Sequence, residues 1–243
     1  MIQSDERKHM VATFFDDFNN YLGGQAFGVR KQLVHELLGP LHNCTILDVG
    51  CGDGSLSRPF VDGTNDLTLV DLSPRMLDRA ISAIDPEKRQ RVQMVQNDLL
   101  EAELEEPGFD VILCIGVLAH VESLDAAIGR LSRLLLPGGR LLIQFSDQDR
   151  KSHAFDTLWA KIRSLFWKKR GYEVTRTSMK LLRSAVSAHG LEWEAHRQYL
   201  TVPPFVRLWV RGSRADFYER FSLNNAWCST FGHQVFARLR KPR

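Results

Sequence analysis

The sequence predicts an α/β fold, a doubly wound sheet of parallel strands with helices between them. Three observations carry this. Short apolar runs alternate with segments of helical pattern. The first run, Thr45-Ile46-Leu47-Asp48-Val49, passes straight into Gly50-Cys51-Gly52-Asp53-Gly54. The next two runs each end in an acid, Asp71 and Asp98. In open sheets of this kind ligands bind outside the carboxyl ends of the strands, at the switch point.

The elements follow in order. An aromatic strip of helical period, Phe14, Phe15, Phe18, Tyr21 and Leu22, leads the chain. Gly23-Gly24 then breaks it before a second helix, 25–38. Residues 1–40 therefore read as an N-terminal helical cap, and 41–243 as the main domain. The strand at 45–49 breaks into its glycine turn, and a helix is expected to begin near Ser55. Leu67 to Val70 form the second strand. Ser73-Pro74 opens a helix, since proline suits a first turn. Val92 to Gln96 form the third strand and lead to Asn97-Asp98-Leu99. Phe109 to Ile115 form the fourth and end at Gly116. Pro137-Gly138-Gly139 turns the chain into a fifth, Arg140 to Phe145.

The glycine turn narrows the ligand class, unless it is a structural turn without a ligand. A nicotinamide fingerprint spaces its glycines G-x-G-x-x-G and seats pyrophosphate on a helix N-terminus. Here the spacing is G-x-G-x-G, with an acid, Asp48, at the strand end. That acid suits a cationic ligand better than phosphates. Asp71, roughly 20 residues past the glycines, stands where an acid binds a ribose diol.

Composition and charge narrow the classes. The length of 243 residues suits one α/β domain with additions. No run of 18 apolar residues marks a membrane span, and the start Ser4 to His9 is polar and charged, so a cytoplasmic protein is expected. The cysteines Cys44, Cys51, Cys114 and Cys228 show neither a C-x-x-C pair nor zinc spacing, and no metal is expected. Residues 1–150 carry 14 Lys and Arg against 23 Asp and Glu, a net of −9, while 151–243 carry 18 against 6, a net of +12. Such asymmetry points to an anionic partner for the second half, whether nucleic acid, membrane surface or an anionic substrate.

The segments LDVGCGDG, LVDLSPRML, QNDLL, FDVILCIGVLAHV and LLLPGGRLLI, in this order, resemble the class I S-adenosylmethionine-dependent methyltransferase family, in particular its small-molecule branch, which includes quinone-biosynthesis enzymes. The likeness covers about residues 44–146. It implies a Rossmann-like, mostly parallel seven-stranded sheet with an antiparallel last strand. It implies S-adenosylmethionine as cofactor and S-adenosylhomocysteine as product. By the same likeness Gly50, Cys51 and Gly52 pass under the methionine part, and Asp48 orients this loop and helps hold the amino group. Asp71 takes the ribose; Leu72 and Met76 flank the adenine. Asp98 meets the adenine amino group beside the Leu99 backbone. Ile115 and Gly116 face the methionine tail. Leu72 and Met76 also suit a simple core, and Asp98 a helix cap.

Against that family core, a helix falls at 178–189, a sixth strand at Leu191 to Tyr199 and a seventh near Ser229 to Leu239. Two helical insertions remain, about 147–177 and 201–226. In the first, Phe155, Leu158, Trp159, Ile162, Leu165 and Phe166 share a helical face, with Lys161, Lys168, Lys169 and Arg170 off it. It reads as a lid or packed helix, with peripheral membrane contact as the alternative. The second mixes Phe205 and Trp209 with Arg207, Arg211 and Arg214 and reads as an acceptor-side wall. In related enzymes a leading helix folds over the cofactor. Tyr21 is the candidate to reach the reacting centre and Arg30 the cofactor carboxylate, unless both only pack.

The chemistry implied is in-line methyl transfer, driven largely by positioning. His120 follows the fourth strand and is the candidate general base, or else it holds the loop. The expected acceptor is an O or N atom of a small molecule, anionic or partly apolar. An RNA or protein acceptor held by the basic half is the first alternative. No Asn/Asp-Pro-Pro-Tyr or Pro-Cys motif supports nucleic acid, which is disfavoured. A cofactor-binding protein without turnover is the second alternative.

Overall fold

The computed structural model describes residues 4–16, 27–150, 174–202 and 213–243. Two helices lead, α1 (Ser4–Asp16) and α2 (Phe27–Leu38). Then come β1 (Thr45–Val49), β2 (Asp66–Asp71), α3 (Pro74–Ser82), β3 (Val92–Gln96), β4 (Phe109–Ile115), α4 (Leu124–Leu134) and β5 (Leu135–Ser146). The chain closes with α5 (Met179–Ala188), β6 (Glu192–Tyr199), α6 (Ser213–Asn224), α7 (Ala226–Thr230) and β7 (Gln234–Arg240). One seven-stranded sheet has the order β3-β2-β1-β4-β5-β7-β6. β7 pairs antiparallel with both β5 and β6; the other pairs are parallel. This is the Rossmann-like arrangement the sequence predicts, and its switch point lies between β1 and β4.

The central strands are buried on both faces, so each alternates between two cores. Ile46, Leu69, Leu113 and Leu142 join Leu33 and Leu37 of α2 on one face. Leu47, Ile112, Leu141 and Ile143 join Ile128 and Leu131 of α4 and Leu182 of α5 on the other. Serines cap three helices at the backbone: Ser73 accepts from Met76 N, Ser123 from Ala126 N and Ser178 from Leu181 N.

Three boundaries differ from the sequence reading. No α-helix starts at Ser55. Arg58 N donates to Gly54 O, but Pro59 has no N–H to continue, and the segment tightens into a 3₁₀ turn, Arg58–Phe60. β5 starts at Leu135 rather than Arg140, because Leu135 already pairs with Phe109; the Pro137–Gly139 turn is a bulge inside it, and Val111 pairs next with Arg140. The last strand starts at Gln234, because 226–230 form α7, where Asn225 Oδ1 accepts from Cys228 N. Of the two insertions, only 147–150, 174–177, 201–202 and 213–226 are described. The apolar face at 155–166, the residues Phe205 to Arg211, and Phe18, Tyr21 and Leu22 lie outside the described residues. No helix among the described residues is long and apolar enough to cross a membrane.

Leu113 is fully buried in the central strand β4. Its change to Ala should lower unfolding free energy by about 2–5 kcal/mol, read by urea denaturation. The same change at the exposed Leu100 should stay within about 0.5 kcal/mol.

Candidate active site

The carboxyl ends of the parallel strands open into one cavity of about 390 Å³. That is within the usual range for a small-molecule site. Its floor is the loop after β1, held by three bonds to β2. Gly50 N and Cys51 N both donate to Val70 O, at 2.8 and 3.1 Å. Gly52 N donates to Asp71 Oδ2 at 2.8 Å. Gly50 has φ +62°, and a Cβ there would lie 2.3 Å from Val117 Cγ2. Only glycine meets both conditions, so the loop runs tight against the chain that follows β4.

Two acids stand beside this loop. Asp48 is 3% exposed at the end of β1. Burial pushes its carboxyl up to about 7; the nearby Ser57 hydroxyl opposes the rise, and the Asp71 and Asp53 carboxylates add to it. Ser57 is near enough to have this effect, yet neither Ser57 Oγ nor Asp48 Oδ2 makes a well-formed hydrogen bond. Asp71 is also raised, by burial first. The amides of Ser73 and Gly52 pull it down, and Asp16 pushes it up. Its Oδ1 accepts from Ser73 N at 2.9 Å. Asp98 Oδ1 accepts from Leu100 N, and its carbonyl accepts from Ala102 N, so this acid shapes its own turn while lining the cavity.

The roof is α1. Val11, Ala12, Phe14 and Phe15 face the cavity. Polar contacts tie the helix down along its length. Arg7 donates to Val121 O at 3.0 Å and Thr175 Oγ1 at 3.1 Å. Lys8 pairs with Glu101. Asp16 Oδ1 accepts from Ser73 Oγ at 2.5 Å. The helix thus spans the strand ends from β2 to β4. Phe15 meets the His120 ring edge-on, centroids 5.2 Å apart.

The cavity gathers thirteen of the fourteen candidate residues: Asp48, Gly50, Cys51, Gly52, Asp71, Leu72, Met76, Asp98, Leu99, Ile115, Gly116, Arg30 and His120. The fourteenth, Tyr21, lies outside the described residues. Leu99 and Met76 are also nearly fully buried in the protein. The sequence reading missed Arg7, which no motif marks. It also missed Gln144, Ser146 and Gln234, which line the cavity at the ends of β5 and β7. Gln144 carried a signal: one amide inside the otherwise apolar run Leu141 to Phe145. Among the described residues no cluster of three His, Cys, Asp or Glu could hold a metal ion. All four cysteines are free thiols, and burial raises Cys51 and Cys114.

Residues 47–141 match the family described as "Methyltransferase domain". The chain is 31% identical over 134 residues to a ubiquinone biosynthesis O-methyltransferase of Alkalilimnicola ehrlichii, covering 55% of this chain and 54% of that one. It is 32% identical over 139 residues to a ubiquinone/menaquinone biosynthesis C-methyltransferase of Stutzerimonas stutzeri, covering 56% and 54%. The chain thus spans about half the length of these curated relatives. Its fold is similar to that of magnesium protoporphyrin IX methyltransferase from Synechocystis PCC 6803, solved with bound S-adenosylhomocysteine (TM-score 0.65, 18% identity, 97% of this chain and 99% of that one).

Two outcomes test this geometry. Gly50→Ala should lower unfolding free energy by about 1–3 kcal/mol, since the loop must shift about 1 Å to relieve the clash; urea denaturation reads it. The second concerns Asp48. Its carboxyl titrates at about 7 in the folded chain against an ordinary value of 3.8, so the folded chain holds an extra proton between those values. Stability therefore falls as pH rises from about 4 to about 7, by up to a few kcal/mol. Asp48→Asn should flatten that slope, read as unfolding free energy at pH 4.5, 6 and 7.5.

Proposed function

We propose that this chain is a class I S-adenosylmethionine-dependent methyltransferase, a reading supported by the methyltransferase-domain match over residues 47–141 and by the similarity to quinone-biosynthesis enzymes. Its acceptor is an O or N atom of a small, partly apolar or anionic metabolite. The observation that carries the reading is the convergence of Asp48, the Gly50–Gly52 loop, Asp71 and Asp98 on one cavity. The residues fit the cofactor. Asp48 Oδ2 is buried without a hydrogen bond, and an ammonium group would satisfy it and favour its ionised form. A Cβ at Gly50 would close the floor against Val117.

Asp71 then holds the ribose hydroxyls and Asp98 the adenine amino group, with Leu72, Met76 and Leu99 around the ring. Gly50, Cys51 and Gly52 lie under the methionine part, and Ile115 and Gly116 beside its tail. Arg30 meets the carboxylate as a charge-assisted partner. When bound, S-adenosylmethionine supplies a methyl group already activated by its sulfonium charge, and S-adenosylhomocysteine remains. His120 takes the acceptor's proton as general base. Phe14 and Phe15 exclude water from above. Tyr21 belongs to the same leading segment and is proposed to reach the reacting centre. Residues 1–40 serve as the cap, and 147–177 and 201–226 as lid insertions of the 41–243 domain.

The basic half favours an anionic partner, either the acceptor or a membrane surface met peripherally. It also supports a second reading, an RNA or protein acceptor, which steep loss of activity with salt would favour.

Methyl transfer from labelled S-adenosylmethionine into a host extract, split into lipid, small polar, RNA and protein fractions, tests the reading. Label should enter the lipid or small-molecule fraction; label in RNA or protein alone overturns that acceptor class. His120→Ala should lower turnover about 10²-fold or more and leave cofactor affinity within twofold. Full turnover in that variant would remove the base role.

A further inference from the structure

We propose that the ends of β5 and β7 form a subsite for the acceptor, built to receive a hydroxyl or N–H group. This rests on the methyltransferase reading above and deepens it. Gln144 is 4% exposed, inside the otherwise apolar and buried run Leu141 to Phe145. Its Nε2 donates to Gln234 Oε1 at 2.7 Å. Gln234 Nε2 in turn donates to Ser146 Oγ at 2.7 Å. The chain of two amides and a hydroxyl runs across the β5–β7 pair, and all three residues line the cavity. One group stands out: Gln144 Oε1 is buried and accepts no hydrogen bond. Native structures keep few such oxygens, because leaving a buried acceptor without a donor is destabilising.

The place of this oxygen points to the acceptor rather than the cofactor. Asp71 ends β2 and Asp98 lies in the turn after β3, on one side of the β1–β4 switch point; Gln144 and Gln234 lie on the other. Gln144 Oε1 would be 3.9 Å from a Cβ on Gly116, and Arg30 Nη1 3.7 Å from the same point. The oxygen therefore sits beside the turn proposed to face the methionine tail, on the β5–β7 side of it. Gln144 Nε2 is committed to Gln234, so the oxygen is the atom left for a ligand.

The chemistry of the bound group follows. A carbonyl oxygen accepts and cannot donate. A phenol, alcohol or amine N–H satisfies it. A carboxylate would set oxygen against oxygen with no proton between. An amide is too weak a base to take a proton, so Gln144 is a positioning residue, and it narrows the acceptor to molecules with a neutral donor at that point.

The test uses the full chain saturated with S-adenosylhomocysteine, after calorimetry has measured that binding. Phenol, anisole and benzoate are titrated while the Gln144 side-chain amide signal is followed by ¹⁵N NMR, assigned as the pair lost in Gln144→Leu. Phenol should shift this signal saturably. Anisole, the same ring with its donor capped, and benzoate should bind at least tenfold more weakly. In Gln144→Leu and Gln144→Glu, which lack that signal, phenol and anisole are titrated by calorimetry. Gln144→Leu should abolish the preference for phenol with cofactor affinity within twofold. Gln144→Glu, which keeps an oxygen facing the cavity, should retain the preference and shows that lost binding is not lost folding. Equal binding of phenol and anisole, or no phenol binding, overturns the proposal. So does a parallel fall in cofactor affinity in Gln144→Leu, which would place the oxygen at the methionine end. Failure to bind S-adenosylhomocysteine would instead count against the methyltransferase reading, and the phenol titration is then run on the free chain, where the same outcomes decide.

Discussion

The bond from Gly52 N–H to Asp71 Oδ2 is the constraint on which the site depends. With the amides of Gly50 and Cys51 on Val70 O, it ties the first loop to the end of the second strand. These bonds hold the loop back against β2, beside the β1–β4 switch point. The same bond uses one oxygen of Asp71, and Ser73 N uses the other. Both amides lower a carboxyl that burial would otherwise raise further. One interaction thus sets the backbone of the floor and the charge of its neighbour.

Asp48 shows the opposite arrangement. It lies deeper, near Asp71 and Asp53, without a formed hydrogen bond on Oδ2. A buried acid in this state is poorly satisfied by the protein alone. Such residues persist where a ligand completes them, and a cationic ligand completes an acid best. The destabilisation is tolerated because both cores of the sheet are dense with apolar residues around it.

The roof is held differently from the floor. Backbone bonds and glycine geometry hold the floor. Side chains hold α1: Arg7, Lys8 and Asp16 each reach a different strand end. Long-range contacts of this kind leave no local pattern, since the partners of Arg7 lie more than a hundred residues away in sequence.

The sequence by itself determined the strand succession and the identity of the acids that end three of the strands, because period, glycine spacing and strand-end acids are local signals. Thirteen candidate residues marked by those signals and by resemblance share one cavity. Boundaries shifted where a local detail intervened: Pro59 removed the helix at Ser55, the Pro137–Gly139 bulge lengthened β5, and α7 delayed the start of the last strand. Tertiary structure alone decided that Gln144, Ser146 and Gln234 form one hydrogen-bonded chain. Ninety residues separate Gln144 from Gln234, and only the antiparallel pairing of β7 on β5 brings their side chains to one end of the sheet. Register across a sheet is set by packing of the whole fold, which no stretch of sequence expresses alone.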